Sequence, residues 1–117
     1  MSCVYFILAA DAGLVKIGRS NCPERRLRDM TPYSPVTLEL LGSIEGPARL
    51  ERQIHTLLIE HHSRNEWFAW CGVVQSHVKA LLDGSFDHTL LPQRARKAWV
   101  LDKAQARLDQ MERGQAA

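Results

Sequence analysis

The chain has 117 residues, room for one domain with one core. At 45% apolar and 24% charged it has an ordinary globular composition, and a net charge of +2 leaves any anion site to local clustering of basic residues. The longest apolar runs are too short to cross a bilayer and no basic segment precedes the first, which argues against a membrane span and a signal peptide; a cytoplasmic protein is expected.

Residues 3–9 (CVYFILA) are β-branched and aromatic and predict a buried strand, and after the turn chemistry of Asp11-Ala12-Gly13 residues 14–18 (LVKIG) predict a second, giving a hairpin. Asn21 or Cys22 starts a helix to about Met30, with Pro23 and Glu24 suited to its first turn. Two prolines make 31–35 a loop, and 36–44 (VTLELLGSI) predict a third strand. A longer helix spans about 47–62, with Leu50, Ile54, Leu57 and Leu58 as its apolar stripe. The aromatic string 65–70 (NEWFAW) is a short strand or a packed extended piece, with Trp67 and Phe68 in the core. Residues 72–83 predict another helix, closed by Gly84. Leu101, Ala104, Leu108 and Met111 give 93–114 the narrow seam of an amphipathic helix, fit to pack on the core, to pair with another chain, or to remain partly disordered. The order predicts an α+β fold: a small, mostly antiparallel three-stranded central sheet flanked by helices, with a C-terminal amphipathic helix.

The cysteines at 3, 22 and 71 are odd in number and show no CxxC spacing, which suggests structural thiols, not a disulfide framework or a zinc site. Chemistry can come from three other groupings. Arg19, Arg25, Arg26 and Arg28 surround the start of the first helix, where unpaired N–H groups and guanidinium forks suit phosphate, although Glu24 and Asp29 equally allow a solvated, self-paired face. Glu51 and His55 lie one turn apart beside the apolar stripe, with His62 on roughly the same side. They are an ordinary i,i+4 pair or the start of a Mg²⁺ site, since magnesium often takes only one or two carboxylates with water and phosphate. Tyr5 is a core tyrosine, or a phenol facing a phosphate site whose proton Lys16, Arg26 and a metal would loosen.

Taken in order, Cys3-Val4-Tyr5, then Lys16-Ile17-Gly18, Arg26 on the next helix and Glu51 on a later one, the chain resembles the GIY-YIG nuclease superfamily. It is closest to the short phage- and bacterial-type branch with a KIG second motif, over residues 3 to about 70. The resemblance implies a nuclease-like domain over 1–91, a helical extension over 92–117, and metal-dependent cleavage of DNA phosphodiesters with Mg²⁺ or Mn²⁺. Carried over by position, Tyr5 helps to activate water, Arg26 holds the scissile phosphate, Glu51 binds the metal, Gly18 lets the chain pass close to the site, and His55 follows the glutamate by one turn. Arg19, Arg25 and Lys16 would add phosphate contacts. Cys3 replaces the first-motif glycine and Lys16 the second-motif tyrosine, and a charged lysine cannot accept a proton as a phenolate does. A nucleic-acid-binding module that does not cut, or an accessory subunit pairing as a homodimer or with a partner through its C-terminal helix, are the alternatives. Arg94, Arg96 and Lys97 would be DNA-backbone contacts or a solvated basic stretch; Glu66 has no assigned role.

Overall fold

The computed structural model describes residues 2–102. The apolar run at the start forms β1 (Cys3–Ala9), which turns through a short 3₁₀ segment and Gly13, in the left-handed region at φ 65°, into β2 (Leu14–Ser20). The hairpin register sets Tyr5 directly opposite Gly18 and Ile7 opposite Lys16. Helix α1 (Pro23–Met30) starts on proline, which fits a first turn whose N–H would have no helical partner. A 3₁₀ turn at Thr31–Tyr33 leads to β3 (Glu39–Glu45), antiparallel to β1 on its other side, with a register shift between Phe6 and Ile7. Helix α2 (Ala48–Leu57), β4 (His62–Arg64), β5 (Trp67–Ala69) and α3 (Gly72–Asp83) follow.

The class is α+β, but the sheet has five strands in the order β3-β1-β2-β5-β4, not the three that the sequence pattern predicts. The two additional strands are short. His62-Ser63-Arg64 carries no apolar alternation to announce it, and it is a strand only because it pairs with β5 across a tight turn in which Asn65 takes φ 51°. Helix α2 is correspondingly shorter than the predicted 47–62. It ends at Leu57, and a 3₁₀ turn at Ile59–His61 feeds β4, so His62 sits on a strand and not on the helix face with His55.

The core joins Val4, Phe6, Val15 and Ile17 of the hairpin to Leu50, Ile54 and Leu58 around α2, Phe68 of β5, and Val74, Val78 and Leu81 of α3. Strand β5 pairs with β2 only over Leu14–Lys16. Beyond that point the Ile17 N–H donates to Glu66 O at 2.9 Å, so the last residues of β2 border the turn between β4 and β5 instead of a neighbouring strand.

After a 3₁₀ turn at His88–Leu90 the chain runs back along α2. Arg49 Nη2 donates to Gln93 O (3.0 Å), Gln53 Nε2 donates to Pro92 O (3.2 Å), and the Thr56 hydroxyl meets both the N–H and the carbonyl of Arg96 at 3.0 Å. Leu91 and Ala98 are buried in the core. The segment expected as a helical extension from residue 92 packs on the domain, through 102, as a strap. It turns helical at 98, not 93, because the backbone groups before that point are committed to α2. Leu101 of the predicted seam lies in that helical turn; Ala104, Leu108 and Met111 lie outside the described residues.

Phe68 anchors the β4–β5 hairpin with no exposed surface. Phe68→Ala is expected to lower the unfolding free energy by about 3–5 kcal/mol, read by chemical denaturation. A loss of less than about 1 kcal/mol would place the hairpin outside the cooperative core.

Candidate functional site

The site forms where β2 runs past the end of β5. Tyr5, Lys16, Arg19, Arg26, Asn65, Glu66, Trp67 and Trp99 line a cleft of about 460 Å³. Arg19 and Arg26 also line an adjoining cleft of about 530 Å³ with Arg25 and the first turn of α1, so basic side chains continue from one opening into the next. Arg19, Arg25 and Arg26 are exposed. Of the four arginines singled out in the sequence, Arg28 lines neither opening.

Gly18 has a steric reason to be glycine within the protein itself. A Cβ there would lie 2.5 Å from Tyr5 Cζ and 2.7 Å from Glu66 Oε2, and closer still to the tyrosine oxygen. The residue is glycine because the Tyr5 ring and the Glu66 carboxylate occupy the space a side chain would need. The cross-strand register opposite Gly18 thereby sets the position of the tyrosine.

Burial, and then the negative charge of Glu66, raise the Tyr5 phenol well above its ordinary value of 10, and Arg26 only partly opposes them. Arg26 loosens this proton in the expected direction, but burial and Glu66 outweigh it. Burial likewise lowers the Lys16 ammonium from its usual range, with Arg26 adding to the effect and Glu66, 3.8 Å away, opposing it. Glu66 is raised, first by burial and then by Glu51.

Glu51 and His55 are the two buried polar side chains among the described residues, at 1% and 0% exposed. The sequence resemblance puts His55 beside the reacting groups, but both of its ring nitrogens are engaged by backbone. Nε2 is 2.8 Å from Ile17 O and Nδ1 is 3.1 Å from the Ala98 nitrogen. Nε2 therefore carries the proton and donates it to β2, while Nδ1 accepts from the strap. His55 is a positioning residue that fixes α2 to the end of β2 and to the returning chain. His62 does similar work nearby, bonded to Asp102 and, at 2.7 Å, to Asn65 O.

Glu51, one turn before His55, points its Oε1 into the buried rear of the cleft. That oxygen has no hydrogen-bond partner among the described residues, although Lys97 Nζ lies 2.8 Å away as an ion pair. The same ammonium is 3.5 Å from Glu66 Oε1 and 4.9 Å from the centre of the Trp99 ring. No group of three or more His, Cys, Asp and Glu side chains gathers among the described residues. A metal here would depend on carboxylate oxygen, water and substrate, which suits Mg²⁺ or Mn²⁺ and not zinc. A buried carboxylate oxygen short of a hydrogen bond fits that donor set.

Glu66 and Trp99 are site residues that sequence reasoning does not assign, and Lys97 enters it only as a DNA-backbone contact or part of a solvated basic stretch. Glu66 had only its place in an aromatic string to mark it, while Lys97 and Trp99 reach the cleft through the return of the strap, which no local pattern encodes.

A small α+β domain with a basic cleft backed by a buried carboxylate is thus in place. The chain belongs to the T5orf172 domain family, whose model matches residues 2–83. That span holds every cleft residue except those brought by the strap. No curated protein and no solved structure matches the chain at a significant level. Among the described residues no helix is long and apolar enough to cross a membrane.

Burial holds the His55 imidazolium below its ordinary 6.5. As pH falls below 6.5 the unfolded chain takes up a proton that the folded chain refuses, so stability is complete above that pH and declines beneath it. Chemical denaturation should show this acid loss in the wild type and less of it in His55→Gln, and the His55 ring should titrate below 6.5 by NMR. Equal pH dependence in both proteins would contradict the neutral, doubly bonded imidazole.

Proposed function

We propose that the cleft binds the phosphate backbone of DNA and hydrolyses a phosphodiester bond with the help of Mg²⁺ or Mn²⁺, in the manner of the GIY-YIG nucleases that the sequence resembles. The observation that carries this reading is convergence. Tyr5 from β1 and Arg26 from α1 are widely spaced in the chain yet line one basic cleft, Gly18 of β2 lies against Tyr5 and the cleft residue Glu66, and Glu51 from α2 shares the Lys97 ammonium with Glu66 behind it.

Each side chain has a task its environment suits. Arg26 and Arg19, exposed at the mouth, would hold phosphate oxygens in their planar forks and offset charge as the phosphorus becomes crowded. Lys16, half-buried behind them, adds a positive charge facing the same space. Tyr5, whose hydroxyl lies beside Gly18 in the cleft, would orient the attacking water or donate to a phosphate oxygen. Glu51 would hold the metal ion through its unpartnered oxygen, with His55 fixing the helix turn that presents it. When bound, the ion supplies Lewis-acid stabilisation of the charge that develops on the phosphate and the leaving oxygen. Residues 92–102 contribute the strap that closes the rear of the cleft.

A second reading keeps the binding and omits the cutting. It is favoured by the Lys97 ammonium at Glu51, which already neutralises the carboxylate the metal would use, and by lysine in place of the motif tyrosine. Binding alone would depend steeply on salt and be indifferent to magnesium.

Supercoiled plasmid with Mg²⁺ or Mn²⁺ separates the two. Hydrolysis predicts nicking that chelator abolishes. Arg26→Ala should slow it by roughly 100- to 1,000-fold, the usual effect of removing one charge-stabilising group, and weaken DNA binding. Glu51→Gln should slow nicking comparably while leaving salt-dependent binding in place. Intact DNA on every substrate, with binding retained in chelator, would leave the binding module.

A further inference from the structure

The rear of the cleft contains more than a lone glutamate. Glu51 Oε1 is buried and short of a hydrogen bond, and the imidazole 3.7 Å away cannot supply one because its Nε2 proton goes to Ile17 O. Glu66 arrives from the β4–β5 turn. One ammonium, Lys97 Nζ, meets Oε1 of both carboxylates, at 2.8 Å and 3.5 Å. Two acids from separate elements are therefore aimed at one positive centre. A lysine ammonium is a compact point charge, and two carboxylates with open positions for water and phosphate make a common magnesium set.

We propose that Glu51 and Glu66 together form a divalent-cation seat, that the Lys97 ammonium fills it in the metal-free protein, and that a divalent ion enters by exchange with that ammonium. The proposal rests on the reading of the cleft as a phosphodiester site and adds to it a second ligand, Glu66, and a resident competitor, Lys97.

The strap makes such an exchange feasible. Its backbone is held on α2 by the bonds from Arg49, Gln53, Thr56 and His55, and by burial of Leu91 and Ala98. The Lys97 side chain is 32% exposed and already lies against the Trp99 ring. The ammonium can leave the two carboxylates without the strap leaving the domain. The leaving charge stays at the cleft wall, where substrate phosphate would arrive. Lys97 also lies beyond the family's matched span of residues 2–83, so the competitor belongs to the segment that follows the shared domain.

The test is Mn²⁺ binding to the full chain without DNA, followed by the electron paramagnetic resonance of free Mn²⁺, with thermal unfolding to verify each variant. If Lys97 holds the seat about nine-tenths of the time, Lys97→Met should bind Mn²⁺ roughly tenfold more tightly than wild type. Adding Glu51→Gln or Glu66→Gln to Lys97→Met should each remove that gain. Equal or weaker binding by Lys97→Met overturns the exchange, and unchanged affinity on adding Glu66→Gln removes Glu66 from the seat. Should Lys97→Met fail to fold, amine acylation of wild type read by mass spectrometry decides. Mn²⁺ must raise the labelling of Lys97 relative to Lys79, and an unchanged ratio overturns the proposal. Plasmid nicking by the same preparations keeps the two readings apart: chelator-sensitive nicking with Mn²⁺ affinity unchanged by Lys97→Met and by Glu66→Gln sinks the two-carboxylate seat and leaves the hydrolase, whereas Mn²⁺ bound as described without nicking leaves the seat and sinks the hydrolase.

Discussion

A single buried imidazole holds the cleft together. His55 gives its one proton to the Ile17 carbonyl and takes one from the Ala98 amide, so sheet, helix and returning strap meet on one ring. Either bond alone would be worth about 1 kcal/mol net, but a ring nitrogen left unsatisfied in this core would cost more than its bond contributes. The constraint is one of direction as well as energy. Helix α2 cannot rotate or slide without breaking both bonds, and Glu51, a turn earlier on the same face, is held with it. A residue that the sequence offers as a participant in chemistry acts instead as the joint that lets a carboxylate be buried at a defined depth.

From that joint the electrostatics of the cleft follow. The front is cationic and wet, with exposed arginines from the end of β2 and the start of α1. The rear is anionic and dry, with Glu51 and the half-buried Glu66. Tyr5 and Lys16 stand between them, and each is pushed toward its neutral form by the loss of water around it. The arrangement separates a cationic mouth from an anionic rear, the division that the proposed phosphodiester reaction would use. It also explains why an internal ammonium is present: two acids sharing a low-dielectric corner require a cation nearby.

Much of the fold was legible because the pattern was local. The continuous apolar run of β1, the Gly13 turn, the proline opening α1 and the glycine closing α3 each act on their own few residues, and these elements fall where the sequence predicts them. What failed was non-local. His62–Arg64 has no strand signature and exists by pairing with β5, which in turn ended α2 early. Of the site, Tyr5, Lys16, Arg26 and Glu51 could be found through the order of motifs and Arg19 through the clustering of arginines; Tyr5, Lys16, Arg19 and Arg26 line one cleft, and Glu51 lies behind it. Glu66 and Lys97 could not, because their meaning arises only when a turn and a distant strap arrive at the same carboxylate.

The short reach of β5 has a consequence for behaviour in a crowded solution. A strand left unpaired along one side is a template for another molecule's backbone, and proteins guard such borders. Strand β2 outlasts its neighbour, yet the first residue past the pairing, Ile17, has both main-chain groups occupied, its amide by the Glu66 carbonyl and its carbonyl by the His55 ring. The opening of the basic cleft is thus closed to a foreign β-strand at the position where one would start to add.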